Sequence, residues 1–356
     1  MSVWNQRHTV DRRTFVKGVT AMCGVAALGG RVGASARFAA SGWIDQAGLQ
    51  LFTVRDEIAK DFERTLEQVA AAGYKEVEPT SYGGKTPAEV RAILDRLGLK
   101  APSTHVTLSP GPDLEQKLAG YQAMGHKYSA AGPARGSGGG NRAPGGAPGG
   151  APGGATRPNG AAGASPAATP GGTPPAPSAA MMAAFFAPKK LDDVRREADL
   201  YNQIGMAGKP YGVKVLIHNH TTEFQPLADN SQTQFDVLMA NTDPSLVVFE
   251  LDIGWATVAG QDPLALFRKY PGRFPLWHVK DMAELATVRA LPTQGERMRA
   301  AKIVGVGEGE IAYGPIFEQA KLAGLEHYYI EDDAAPQHGS LDVMRTCIAN
   351  LRKQLA

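Results

Sequence analysis

The chain has 356 residues, 43% of them hydrophobic and 20% charged, with a formal net charge of +2. Such a length suits one barrel-sized domain, and such a balance suits a globular protein with a sizeable core. The near-neutral charge, with no basic stripe interleaved with aromatics, argues against a nucleic-acid partner, and two cysteines are too few for a disulfide framework.

The first recognisable segment is an address. Residues 11–17 read DRRTFVK, followed by the apolar run GVTAMCGVAALGG and small residues at Ala34, Ser35 and Ala36. Paired arginines, a moderately apolar run and a small-residue cleavage site predict a twin-arginine export signal over residues 1–36, with the folded protein delivered to the periplasm or the medium. The run is shorter than the roughly 20 residues that span a bilayer, so no stable membrane anchor is expected.

From residue 44 to 356 strand-like and helix-like segments alternate, the pattern of a parallel sheet with crossover helices. The strand candidates, in order, are AGLQLFT ending near Thr53, KEVEP, KAPSTHV, HKYSAA, GVKVLIHNH, LVVFELD, FPLWHVKD and HYYIED. Helices are expected from Phe62, after the Thr86-Pro87 cap, over DDVRREADLYNQIGMAG and from about Leu341 to the end. Eight such units predict an α/β fold, a (β/α)8 TIM barrel. Between strand four and its helix, residues 131–187 are dominated by Gly, Pro and Ala. They lack the apolar surface to offset ordering entropy, so a disordered insertion is expected at the mouth of the barrel.

Reactive side chains gather at strand ends: Glu78, His105, His218 with Asn219 and His220, Asp252, His278 with Lys280 and Asp281, and Glu331. In a barrel these ends converge on one mouth, and carboxylates desolvated together there call for a divalent cation. Imidazoles mixed with carboxylates suit Mn²⁺ foremost, with Co²⁺ or Zn²⁺ as alternatives, better than Mg²⁺. Strand alternation puts His218 and His220 on one face, and likewise Glu250 and Asp252, of which Asp252 is nearer the mouth.

The segments QLFTVRD (50–56), HNHTTEF (218–224), ELDIGWATVAGQDP (250–263), HVKDM (278–282), GVGEGEI (305–311) and IEDD (330–333) resemble the sugar phosphate isomerase/epimerase family within the xylose-isomerase-like barrels. The resemblance implies one metal held by His218, Asp252, His278 and Glu331, with Glu78, His105, His220, Glu223 and Lys280 lining the substrate pocket. The chain departs from that pattern at His218, where many relatives have glutamate, at Ala312, where aspartate is usual, and in its insertion.

The expected activity is metal-dependent isomerisation or epimerisation of a sugar or sugar derivative, by proton abstraction from carbon through a metal-stabilised enediolate. Glu331 is the expected base, with Glu78 or His105 acting from the opposite face. The alternative on the same site is a lyase, β-elimination from a keto-glycoside; a third reading is a non-catalytic periplasmic sugar-binding protein. With no Gly-rich phosphate loop and no Lys/Arg cluster apparent at the strand ends, a phosphorylated substrate is not expected. The partner expected is a small-molecule carbohydrate, and self-association into a homo-oligomer is left open.

Overall fold

A computed structural model describes residues 42–133, 186–229 and 232–356. The expected export signal and, of the expected insertion, residues 134–185 lie outside the described residues.

Among the described residues ten strands are formed: β1 (Gly48–Gln50), β2 (Glu76–Glu78), β3 (Ser103–Leu108), β4 (Tyr128–Ala131), β5 (Lys214–His218), β6 (Val247–Asp252), β7 (Leu276–Val279), β8 (Asp281–Ala283), β9 (Lys302–Val304) and β10 (His327–Ile330). Eight make a sheet in the order β2-β1-β10-β7-β6-β5-β4-β3, and every ladder in it is parallel. Between β2 and β3 there is no full ladder. The Val77 N–H donates to the Lys100 carbonyl at 2.8 Å, and the His105 N–H donates to the Pro79 carbonyl at 2.8 Å, so the barrel closes there through scattered bonds. The chain is a (β/α)8 TIM barrel.

Alternation along the strands sorts the side chains. In β7, Leu276 and His278 face the barrel axis while Trp277 faces the helices, where its ring stacks on Phe267 at 4.9 Å between centroids. Tyr128, Ala130, Leu216, Val248, Leu276 and Tyr329 form an apolar plug inside the barrel, and the ionisable side chains stand above it. In the helix Pro87–Leu97 the buried positions Val90, Ile93 and Leu94 follow helical spacing. Thr86 and Glu89 form a reciprocal capping box at its start, a device that stabilises by about 1 kcal/mol, and Gly98 closes it in the left-handed region.

Three local features differ from the sequence reading. The first strand stops at Gln50 instead of Thr53, because the Gln50 side chain accepts from the Phe52 N–H at 3.1 Å and starts a 3-10 turn over Leu51–Val54. The fifth strand stops at His218, so His220 lies beyond it. An antiparallel pair, β8 with β9, is added after β7. Its cause is the buried carboxylate of Asp281, which accepts from the N–H groups of Gly307, Gly309 and Ile311 at 2.9, 3.1 and 3.1 Å. A Cβ at Gly309 would lie 2.3 Å from Asp281 Oδ1, so only glycine lets the GVGEGEI segment wrap this closely. Ala312 leaves the following helix, Tyr313–Phe317, without a side-chain cap.

Candidate metal centre

The register of the parallel ladders builds the site. His218 stands beside Glu250 across β5 and β6, and Asp252 stands beside His278 across β6 and β7. Glu331 follows β10 directly, and its backbone N–H donates to the Val279 carbonyl at 3.1 Å.

At the upper level His218 Nε2 lies 3.8 Å from Asp252 Oδ2, and His278 Nδ1 lies 3.9 Å from the same oxygen and 2.7 Å from Glu331 Oε2. Asp252 Oδ2 and His278 Nδ1 are buried without a well-aligned hydrogen bond among the described residues; their near neighbours are Lys280 Nζ, 3.1 Å from Asp252 Oδ2, and Glu331 Oε2. Donor atoms of Asp252, His278 and Glu331 lie within 4.8 Å of one another. Buried polar atoms held by poorly aligned ion pairs are costly, and an ion with bonds of about 2.0–2.3 Å would satisfy both better after small inward movements. The Asp252, His278 and Glu331 cluster, with His218 beside it, could hold a metal ion.

One layer down, carboxylates hold the opposite nitrogens of the same rings. His218 Nδ1 is 3.1 Å from Glu250 Oε2, and His278 Nε2 is 2.7 Å from Glu78 Oε2. Glu78 also accepts from Gln50 Nε2 at 2.6 Å and from the Ser103 hydroxyl, and His105 Nε2 lies 2.6 Å from Glu250 Oε2. For His218, a carboxylate holding Nδ1 as N–H turns the Nε2 lone pair outward, the usual support for a metal-binding imidazole; His278, whose pKa Glu250 and Glu331 raise against burial, would give up its Nδ1 proton on binding a metal. Donors of His105, His218, Glu250 and His278 likewise fall within 4.8 Å of one another. These four are bonded among themselves, which suits a supporting layer.

The charges follow from burial and neighbours. Burial, followed by the charge on His278, holds His218 well below the usual imidazole range and so neutral. For Glu331 burial opposes ionisation, yet Lys280 and then His278 outweigh it and keep the carboxylate well below its ordinary range. Burial and then Glu250 push Glu78 upward. Burial pushes Asp333 up to about 7 against the pull of Lys280. Lys280 is buried, with Nζ hydrogen-bonded to Asp333 Oδ2 at 2.8 Å, 3.1 Å from Asp252 Oδ2 and 3.0 Å from Glu331 Oε2. It also stands 5.4 Å from the centre of the Trp255 ring.

Of the residues singled out from sequence, Asp252, His278 and Glu331 group together, while His218, 3.8 Å from Asp252 through Nε2, groups with His105, Glu250 and His278. Glu78 and His105 sit beneath them at 0% and 5% exposure. The His220 ring is 4.9 Å from that of His218, and its backbone N–H donates to Glu223 Oε2 at 2.8 Å. Glu250, Gln50 and Asp333 were not assigned roles from sequence. The shared parity of Glu250 with Asp252 was a usable signal, and so was the position of Asp333 in IEDD; nothing marked Gln50 as a partner of Glu78.

No protein-family model matches the chain. An inosose dehydratase from Clostridium tetani is 31% identical over 121 residues, covering 33% of this chain and 39% of that protein. The chain thus spans about two fifths of the length of such curated relatives. Among solved structures, a sugar phosphate isomerase/epimerase from Parabacteroides distasonis is similar with a TM-score of 0.58 and 19% identity, over 86% of this chain and 96% of that one. The IOLI protein with a bound zinc atom is similar with a TM-score of 0.55 and 10% identity, over 87% of this chain and 98% of that one. Likeness at this level of identity shows the fold, and in its fold this chain is a xylose-isomerase-like TIM barrel.

Proposed function

We propose that this protein is a metal-dependent enzyme that takes a proton from the carbon beside a carbonyl in a sugar derivative, and that it completes the reaction by eliminating a neighbouring hydroxyl as water. The observation that carries the reading is the pairing of Glu331 with Asp333 around Lys280. Lys280 Nζ joins the two, 3.0 Å from Glu331 Oε2 and 2.8 Å from Asp333 Oδ2; Glu331 is held well below the usual carboxylate range, whereas burial pushes Asp333 up to about 7, so that it is about half protonated at neutrality. Two acids driven apart in this way make a base and an acid. Among Glu78, Glu250, Asp252 and Glu331, only the Glu331 side chain retains exposure, at 8% against 0% for the others. A divalent cation, Mn²⁺ foremost with Co²⁺ or Zn²⁺ as alternatives, would be held by His218, Asp252, His278 and Glu331 and would supply Lewis-acid polarisation of the carbonyl.

The residues then do the rest. Glu331 accepts the proton from carbon, the C–H electron pair becomes the second bond to the adjacent carbon, and the C–O bond there breaks. Asp333 gives its proton to the departing hydroxyl, which leaves as water. Similarity to inosose dehydratases favours elimination; isomerisation or epimerisation, the first expectation from sequence, begins with the same proton removal and is the second reading. The test is incubation of Mn²⁺-loaded protein with ketoses, inososes and keto-glycosides in D₂O, followed by mass and NMR. The expected result is loss of water from at least one keto substrate. Deuterium uptake without water loss would favour the second reading, and neither change with any substrate would contradict both.

A further inference from the structure

A cavity of about 440 Å³ lies between the short helix after β1 and the loop after β2, lined by Arg55, Lys60, Phe62, Thr80, Ser81 and Lys85 among others. Its volume falls within the roughly 300–1,000 Å³ of ordinary ligand sites. Both segments follow the C-terminal ends of their strands, so the cavity opens on the same face as the metal centre. The three cations do not stand at strand ends; they come from a helix and a loop far apart in sequence.

Among the described residues none of Arg55, Lys60 and Lys85 forms an ion pair with a carboxylate within 4.0 Å. Lys85 feels the carboxylate of Glu89, which is itself bonded to the backbone and hydroxyl of Thr86. The one acid in the lining, Asp61, uses Oδ1 to cap the Arg64 N–H at 3.0 Å. The Arg55 guanidinium is fixed without a counter-charge. It donates to the carbonyls of Phe52 and Asp333 at 2.8 and 3.0 Å and stands 4.1 Å from the centre of the Phe52 ring. Its contact with Asp333 ties the cavity to the residue that holds Lys280 at the metal centre. Three cations without a carboxylate partner, one of them a guanidinium fixed by two carbonyls, line one cavity with two hydroxyls, and this chemistry suits a carboxylate or phosphate.

We infer that this cavity is the subsite for an anionic group of the substrate, a carboxylate or a phosphate, remote from the reacting carbons. The substrate is then a keto derivative of a sugar acid or sugar phosphate and not a neutral sugar. The assignment to the substrate rests on the reading of the metal centre above; the anion site itself does not.

Titration calorimetry with glucose, glucuronate and glucose 6-phosphate on the metal-loaded protein tests it. The account expects one or both anions to bind at least about tenfold more tightly than glucose, the usual scale for a charged hydrogen bond; which anion wins identifies the group. Arg55→Ala and Lys85→Ala should each remove most of that preference. The Lys85 side chain makes no hydrogen bond among the described residues, so its variant, which keeps the backbone bond to Tyr82, guards against loss through misfolding. Equal binding of all three compounds, or a preference for anions that survives both substitutions, would overturn the inference. Anion binding that is lost in both variants, in a protein that shows no exchange or elimination, would uphold the subsite and count against the proposed chemistry alone.

Discussion

Glu78 Oε2 lies 2.7 Å from Nε2 of His278, in a barrel interior where Glu78 has no exposure. The contact fixes the ring so that Nδ1 faces Asp252 and Glu331, and it makes Glu78 a support for the metal centre in place of a group that meets substrate. Glu78→Gln should therefore keep the fold and weaken Mn²⁺ binding by roughly 10–100-fold, the usual range for losing such a support. Competition against a fluorescent chelator measures it, and an unchanged affinity would return Glu78 to the substrate side.

Lys280 sets a tethered positive charge 3.1 Å from Asp252 Oδ2 and 3.0 Å from Glu331 Oε2. It offsets the two carboxylates when no ion is bound and repels an ion when one is. Lys280→Met should tighten metal binding and make the fold more dependent on metal. Removing one partner of a buried pair costs on the order of 3–5 kcal/mol. Thermal melts of both proteins with and without chelator read this directly. The account expects chelation to lower the melting temperature of the variant much more than that of the parent, and equal losses would contradict it.

His126 offers a pH test away from the metal centre. It is buried between the Ala101 carbonyl and the Tyr82 hydroxyl, 2.8 Å from the latter, and burial lowers its pKa to about 4. A histidine depressed on folding resists protonation only in the native state. Its contribution to stability is complete above the unfolded value of about 6.5 and is lost as pH falls from there toward 4. The largest loss is about 3 kcal/mol by the shift between those two values. In urea unfolding of chelated protein, His126→Gln should flatten the decline between pH 7 and pH 4.5 relative to the parent. Parallel curves would show that other groups set the acid limit.

The barrel was legible because its strands announce themselves twice, through short apolar runs and through polar residues at their C-terminal ends. Asp252 and His278 could be placed because parity and strand order act over a few residues. What escaped depends on distant partners. The hairpin of β8 and β9 exists because Asp281 gathers three N–H groups from residues 307–311, a contact that periodicity does not encode. Glu78 was legible as a strand-end acid, but its burial under His278 follows from the fold of β2 against β7 across the barrel axis. Arg55 and Lys85 are separated by a whole strand–helix unit, and only the packing of one loop on another makes them neighbours in one cavity.

In the proposed site His218, Asp252, His278 and Glu331 hold one divalent cation. Anomalous diffraction from crystals grown with Mn²⁺, recorded on both sides of the metal absorption edge, tests it most directly. The account predicts one peak per chain, within about 2.0–2.3 Å of a donor atom from each of the four residues, absent in an Asp252→Ala variant that retains its fold. A peak among His105, His218, Glu250 and His278 with Asp252 and Glu331 left unbound, or no peak at saturating metal, would contradict it.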